Sequence, residues 1–259
     1  MGRRFHVEFF TLISLSLCIF QSGVAWQYPE YHDIVVNNVV VKNELSNCQR
    51  CYEAIKPILD RYKRPITVLD LGAGQGYFTF RIAHDYNSTC VMTEDNNGPL
   101  PQADHLLKLC HANAQLQNIV LLNKRMSLQE LEKLADCEHF DVILAFDYID
   151  HNAYGWKQRA NAILRMGDTI FIQAPWSEVS SENKTKRAVI EYMAEQSGKL
   201  ILQTPCVYDP KIQEQLFWFE RNKSGLRCKC FGWESKDSYM DVFRINSSYA
   251  ILCNTLDSF

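Results

Sequence analysis

Short apolar runs alternate along the chain with longer segments in which apolar residues recur every three or four positions. The runs fall at residues 66–71, 89–93, 118–122, 140–146 and 169–174. They are near-continuous in Val, Ile, Leu, Met and Phe, and too short for helices. That pattern predicts strands buried on both faces. Helices are predicted between them, over 78–84, 101–116, 128–135, 156–166 and 181–196. The second of these has Pro101 in its first turn and an apolar face of Leu106, Leu107, Leu109 and Cys110. Upstream, Ala54, Ile55, Ile58 and Leu59 give helical spacing over 51–62, with Pro57 expected to interrupt the helix and Pro65 to end it. Residues 200–207 and 215–220 read as an antiparallel closing pair. The predicted fold is α/β: a Rossmann-like, doubly wound, mostly parallel seven-stranded sheet with helices on both faces.

The flanks read differently. Residues 26–50 form an N-terminal arm whose Ile34-Val35-Val36 and Val39-Val40-Val41 suggest a short strand packing on the core. Residues 51–220 make up the main domain, and 221–259 a C-terminal appendage. At the start, Arg3 and Arg4 precede an uncharged run over 9–20, and Gly23-Val24-Ala25 offers small residues for processing. This predicts a signal peptide over 1–25, cleaved after Ala25, with an uncleaved signal anchor as the alternative. The run falls short of the roughly 20 residues that span a bilayer. The expected location is the secretory pathway, extracellular or periplasmic, with membrane anchoring second. Sequons at Asn87, Asn183, Asn222 and Asn246 agree with export.

A chain of 259 residues with 47% hydrophobic content can build one self-sufficient α/β core. Its net charge of -3 and scattered basic residues exclude a general nucleic-acid binder, and the short cluster over 61–64 reads as a solvated helix end. Of ten cysteines, Cys90 and Cys110 sit in apolar stretches and read as buried free thiols. The Cys48/Cys51 and Cys228/Cys230 pairs could together complete a zinc tetrahedron. Ordinary thiols or disulfides are the simpler reading, and no metal is predicted.

The most specific stretch is Val68-Leu69-Asp70-Leu71-Gly72-Ala73-Gly74-Gln75-Gly76-Tyr77-Phe78. Apolar residues climb into an acid, and then three glycines fall at alternate positions before a helix. Glycine lets a backbone approach a ligand without a β-carbon in the way. Helix amides are expected to point back at the bound group. The spacing is G-x-G-x-G rather than the G-x-G-x-x-G of dinucleotide binders, and a carboxylate at Asp70 would repel a pyrophosphate. The stretch resembles motif I of the class I S-adenosylmethionine-dependent methyltransferases. That resemblance implies that Asp70 with Gly72, Ala73, Gly74 and Gly76 cradles the methionine part of the cofactor.

Glu94 ends the second strand, 24 residues after Asp70 (94 minus 70). By the same resemblance it holds the ribose hydroxyls, with Asp95 a weaker candidate. After the third strand, Asn123-Lys124-Arg125-Met126-Ser127 lacks the carboxylate that many relatives place near the adenine. Met126 packing on the ring, Ser127 or backbone groups would have to serve instead. The fourth strand runs into Asp147-Tyr148-Ile149-Asp150-His151. The resemblance puts this stretch beside the transferring methyl, with Asp147 touching the cofactor and His151 or Asp147 assisting catalysis. Histidine suits a general base because it titrates near neutrality. Tyr148, Tyr154 and Trp156 either line a pocket or pack at a helix start.

The implied activity is methyl transfer from S-adenosyl-L-methionine to oxygen or nitrogen of a small-molecule substrate. The alternatives are an exported, non-catalytic scaffold that keeps the fold, and a nicotinamide-dependent oxidoreductase, which the glycine spacing disfavours. No nucleic-acid partner is expected. A membrane partner is expected only if the N-terminal segment is uncleaved.

Overall fold

The computed structural model describes residues 33–41, 47–94, 106, 109–113, 115–116, 118–146, 148–149, 155–177, 184–205 and 212–221. The hairpin β1 (Ile34–Val36) and β2 (Val39–Val41) comes first. Its two-residue turn, Asn37-Asn38, has both residues at positive φ, which is the backbone a tight hairpin requires and which asparagine tolerates. Ile34 and Val35 are buried in the main core, so the hairpin is part of the domain's packing.

Helix α1 (Cys48–Leu59) follows. It starts earlier than the spacing predicts and runs through Pro57, which does not interrupt it. A mid-helix proline costs ~3 kcal/mol. Ile58 and Leu59, just beyond it, are both buried and recover ~1.5–3 kcal/mol each, which holds the last turn in place.

The sheet comprises β3 (Thr67–Leu71), β4 (Thr89–Thr93), β5 (Ile119–Leu122), β6 (Phe140–Phe146), β7 (Gly167–Ser177), β8 (Lys199–Pro205) and β9 (Ile212–Glu220). Their spatial order is β5-β4-β3-β6-β7-β9-β8. The first five are parallel to one another, and β9 runs antiparallel between β7 and β8. The predicted seven-stranded, mostly parallel sheet is therefore present, with the closing pair in the expected place. The remaining helices are α2 (Tyr77–Tyr86), α3 (Leu128–Cys137), α4 (Trp156–Met166) and α5 (Lys184–Glu195). Of the helix predicted over 101–116, Leu106 and residues 109–112 are helical, and much of the rest lies outside the described residues. No helix among the described residues is long and apolar enough to cross a membrane.

Two cores flank the sheet. On one face, α1, α2 and the hairpin pack on Val68, Val142, Leu144, Phe171, Leu216 and Trp218. On the other, α3, α4 and α5 cover Leu69, Leu71, Ile143, Ile170, Ile172, Phe217 and Phe219. Strand alternation thus assigns faces. Asp70 is two residues from Val68, so it shares the α1/α2 side, as does Gln173 two residues from Phe171.

The bottom of the sheet is latched by Asp141. It accepts two bonds from Arg64, at 2.9 and 2.5 Å, and one from the Thr67 amide at 2.9 Å. Arg61 lies over the Trp218 ring, 4.5 Å from its centroid. The basic cluster over 61–64 therefore makes specific contacts rather than standing purely in solvent. Cys90 and Cys110 are buried free thiols as expected, and Cys48 and Cys51 are buried as well. Cys228 and Cys230 lie outside the described residues, as do the 1–25 segment and nearly all of the appendage.

Candidate active site

Strand order reverses direction at β3, whose neighbours are β4 on one side and β6 on the other. Ligands of open α/β sheets bind at this switch point, beyond the carboxyl ends of the strands. The glycine loop sits there. Gly72, Gly74 and Gly76 have φ of +74°, +56° and +74°. These left-handed values explain why glycine recurs at alternate positions.

A side chain would also be crowded at Gly72 and would collide at Gly76. A β-carbon on Gly72 would lie 3.2 Å from Tyr148 Cδ2, and one on Gly76 would lie 2.6 Å from Phe80 Cε2. Phe80 is completely buried and cannot swing away. Gly76→Ala is therefore expected to cost about 2 kcal/mol, from the left-handed backbone plus the ring overlap. Urea denaturation would read this as a lower midpoint with an unchanged slope.

The loop's amides are engaged within the protein. Gly72 and Ala73 both donate to the Thr93 carbonyl at 2.9 Å, and Gly76 donates to the Ala73 carbonyl at 2.8 Å. The Gly74 amide donates to Glu94 Oε2 at 2.6 Å. Asp70, only 3% exposed, accepts from the Thr79 hydroxyl at 2.7 Å and also from the Thr79 amide. The loop is thus closed on itself and on the end of β4, through the Thr93 carbonyl and the Glu94 carboxylate, and these four amides are not open to a phosphate.

Burial pushes the Asp70 carboxyl up from 3.8 to about 7. The Thr79 hydrogen bonds oppose this rise, and the nearby Glu94 charge adds to it. Two acids on one rim, one of them buried, make a site complementary to positive charge. In the same loop, Gln75 Oε1 is buried without a hydrogen-bond partner, an acceptor left for a donor to satisfy. Phe78, in the first turn of α2, and Phe146, at the end of β6, are in edge-to-face contact with ring centroids 4.4 Å apart.

Met126 is buried after β5, and its carbonyl accepts from Tyr148 Oη at 3.3 Å and from Arg159 Nη1 at 2.8 Å. Ser127, which the sequence offers as an adenine contact, caps α3. Its Oγ accepts from the Glu130 amide at 3.2 Å, while the Glu130 carboxylate accepts from the Ser127 amide. Tyr148 packs its ring against Gly72 and fixes the loop from the β6 side. Trp156 packs edge-to-face on Tyr192, as a helix-start residue would. Asp147, Asp150, His151, Tyr154 and Asp95 lie outside the described residues.

Sequence reasoning missed Thr79, the buried partner of Asp70. Its only signal is a polar residue on the inward face of an otherwise apolar helix. It also missed Gln173 and Glu214 at the far end of β7 and β9. There, polar residues break an apolar alternation where a strand overruns its neighbour.

No protein-family model matches the sequence, and no curated protein matches it. Solved structures do. A co-crystal structure of WbdD with the kinase inhibitor LY294002 aligns at TM-score 0.54 and 15% identity, covering 67% of this chain and 40% of that one. A second structure, of the bifunctional kinase-methyltransferase WbdD, aligns at TM-score 0.53 and 17% identity, covering 67% and 38%. The chain thus spans about two fifths of the length of these proteins. At such identities the likeness concerns the fold. Together with the strand order and the glycine loop at the switch point, it establishes that this chain has the class I S-adenosylmethionine-dependent methyltransferase fold.

Proposed function

We propose that the protein is an S-adenosylmethionine-dependent methyltransferase that transfers a methyl group to oxygen or nitrogen of a small molecule. The observation that carries this reading is the Glu94 carboxylate bonded to the Gly74 amide beside the buried Asp70. A pyrophosphate would meet the Glu94 charge and the buried Asp70 there, with the Gly72, Ala73, Gly74 and Gly76 amides already engaged. A ligand with a positive charge and a ribose would meet complementary groups. An ionised carboxylate has about four lone-pair sites, so Glu94 can accept from ribose hydroxyls while keeping its loop amide.

The residues present fit the cofactor. The Gly72–Gly76 backbone and Asp70 would hold its amino-acid end, Glu94 the ribose, and Met126 with neighbouring backbone the adenine. S-adenosylmethionine, when bound, supplies a methyl group already activated on a positively charged sulfur. The protein's work is then chiefly to align the acceptor with that carbon and to exclude water. Asp147 and His151 are the proposed assistants at the end of β6, with His151 taking the acceptor's proton.

Isothermal titration of the full chain with S-adenosylhomocysteine, and with NADH as a control, tests this. Stoichiometric binding of the former and none of the latter is expected. Failure of a folded protein to bind S-adenosylhomocysteine overturns the reading and favours a scaffold that keeps only the fold. Binding of NADH instead favours the oxidoreductase.

A further inference from the structure

Beyond the glycine loop, the same face of the sheet carries a second polar cluster with no assigned role. Gln173 on β7 lies opposite Phe146, at the carboxyl end of β6. Glu214 on β9 lies opposite Pro175, where β7 overruns β6. Glu214 Oε2 accepts from Asn47 Nδ2 at 3.0 Å and from Gln173 Nε2 at 3.1 Å. Gln173 Oε1 in turn accepts from the Cys51 thiol at 3.5 Å. Asn47 also donates to the Pro205 carbonyl at 3.2 Å, which ties the start of α1 to β8.

These contacts fix one oxygen of a half-buried carboxylate between two carboxamides, so the group cannot reorient freely. Gln173 is itself buried, at 7% exposure. Directly across the ladder from Glu214 stands Thr204, 5% exposed, whose hydroxyl is buried without any partner. Directly opposed residues on adjacent strands share a face, so this orphaned hydroxyl belongs to the same cluster. A buried polar atom without a partner is costly unless something else supplies the hydrogen bond. Among the described residues no lysine, arginine or histidine pairs with Glu214, so its charge has no protein counter-ion there.

Glu214 stands two strands from β6, roughly 10 Å at about 4.8 Å per strand. That is the reach of a small molecule whose reactive end lies at the β3–β6 crevice. We propose that Glu214, with Gln173 and Thr204, anchors the methyl acceptor, and that the acceptor carries a protonated amine. The amine donates to the open side of the Glu214 carboxylate and to the Thr204 hydroxyl, while the nucleophile lies at the crevice. Glu214 acts by positioning and takes no part in bond making. The proposal rests on the methyltransferase reading.

The test uses the full chain and tritiated S-adenosylmethionine with defined probes: tyramine and spermidine against glycerol, glucose and acetate. Label is expected in the amines alone. Glu214→Gln is expected to raise KM for the labelled amine at least tenfold, with kcat and the Kd for S-adenosylhomocysteine each within twofold of wild type. Glu214→Asp should restore part of the loss. Thr204→Val gives an independent reading, with a smaller rise in KM. The proposal is overturned if neutral or anionic probes are labelled as well as the amines, if Glu214→Gln leaves KM unchanged, or if no amine is labelled while S-adenosylhomocysteine binds. Absence of S-adenosylhomocysteine binding would instead remove the methyltransferase reading beneath it.

Discussion

Asp70→Asn is expected to make the protein more stable above pH 7 and, in the same variant, to weaken S-adenosylhomocysteine binding. Asp70 titrates near 7 in the folded chain, against an ordinary value of 3.8, because burial disfavours its charge. Between those values the folded state holds a proton that the unfolded state has released. Stability contributed by this group is therefore complete below pH ~4 and falls as pH rises to about 7. At 1.36 kcal/mol per pH unit, the gap corresponds to a cost on the order of 4 kcal/mol at pH 8. Asparagine is nearly isosteric and can still accept from Thr79, so it avoids this cost. Urea denaturation at pH 4 and pH 8 is the measurement. The variant should match wild type at pH 4 and exceed it at pH 8 by up to about 4 kcal/mol. A variant equal to or weaker than wild type at pH 8 would show that Asp70 is not held near neutrality by burial.

Such a costly charge is retained where something positive comes to meet it. An ammonium group near Asp70 stabilises the ionised form, so binding at pH 7 should release a proton. Calorimetry in two buffers with different ionisation enthalpies would detect that proton, and Asp70→Asn should abolish it. The destabilisation of the free protein and its complementarity to a cationic ligand thus have one source.

The sheet was legible because buried parallel strands are written as unbroken apolar runs. Val68-Leu69, Val91-Met92 and Ile143-Leu144-Ala145 admit few other structures at that length. The glycine loop was legible because left-handed φ leaves a direct trace in residue type. What stayed hidden is what depends on contacts distant in sequence. Nothing near residue 47 announces that Asn47 meets Glu214, 167 residues away. Ser127 could serve a ligand or a helix on sequence alone, and only Glu130 three residues on gave the clue to its cap. Pro57 misled because a local propensity was weighed without the burial of Ile58 and Leu59, which outweighs it. That Thr93 and Glu94 hold the Gly72, Ala73 and Gly74 amides was hidden in the same way, because both come from the end of the neighbouring strand.

Glu94→Ala is expected to reduce S-adenosylhomocysteine affinity by about 100-fold. Hydrogen bonds to a charged group contribute ~1.5–3 kcal/mol each, and two ribose hydroxyls would lose their shared acceptor. The substitution also strips the Gly74 amide of its 2.6 Å partner, so the loop would bind from a less ordered state. Glu94→Gln keeps an acceptor for that amide and removes only the charge, so its loss should be nearer tenfold. The two variants therefore separate loop ordering from charge. A third effect ties the site together. The Glu94 charge helps to raise the Asp70 carboxyl, and both substitutions remove it. The midpoint of the pH-dependent stability loss should consequently move below 7 in each variant, by a similar amount. If affinity fell while that midpoint stayed fixed, Glu94 would be a ligand contact without electrostatic coupling to the buried acid. If affinity were unchanged, the carboxylate would serve only to close the loop, and the ribose would have to be held elsewhere.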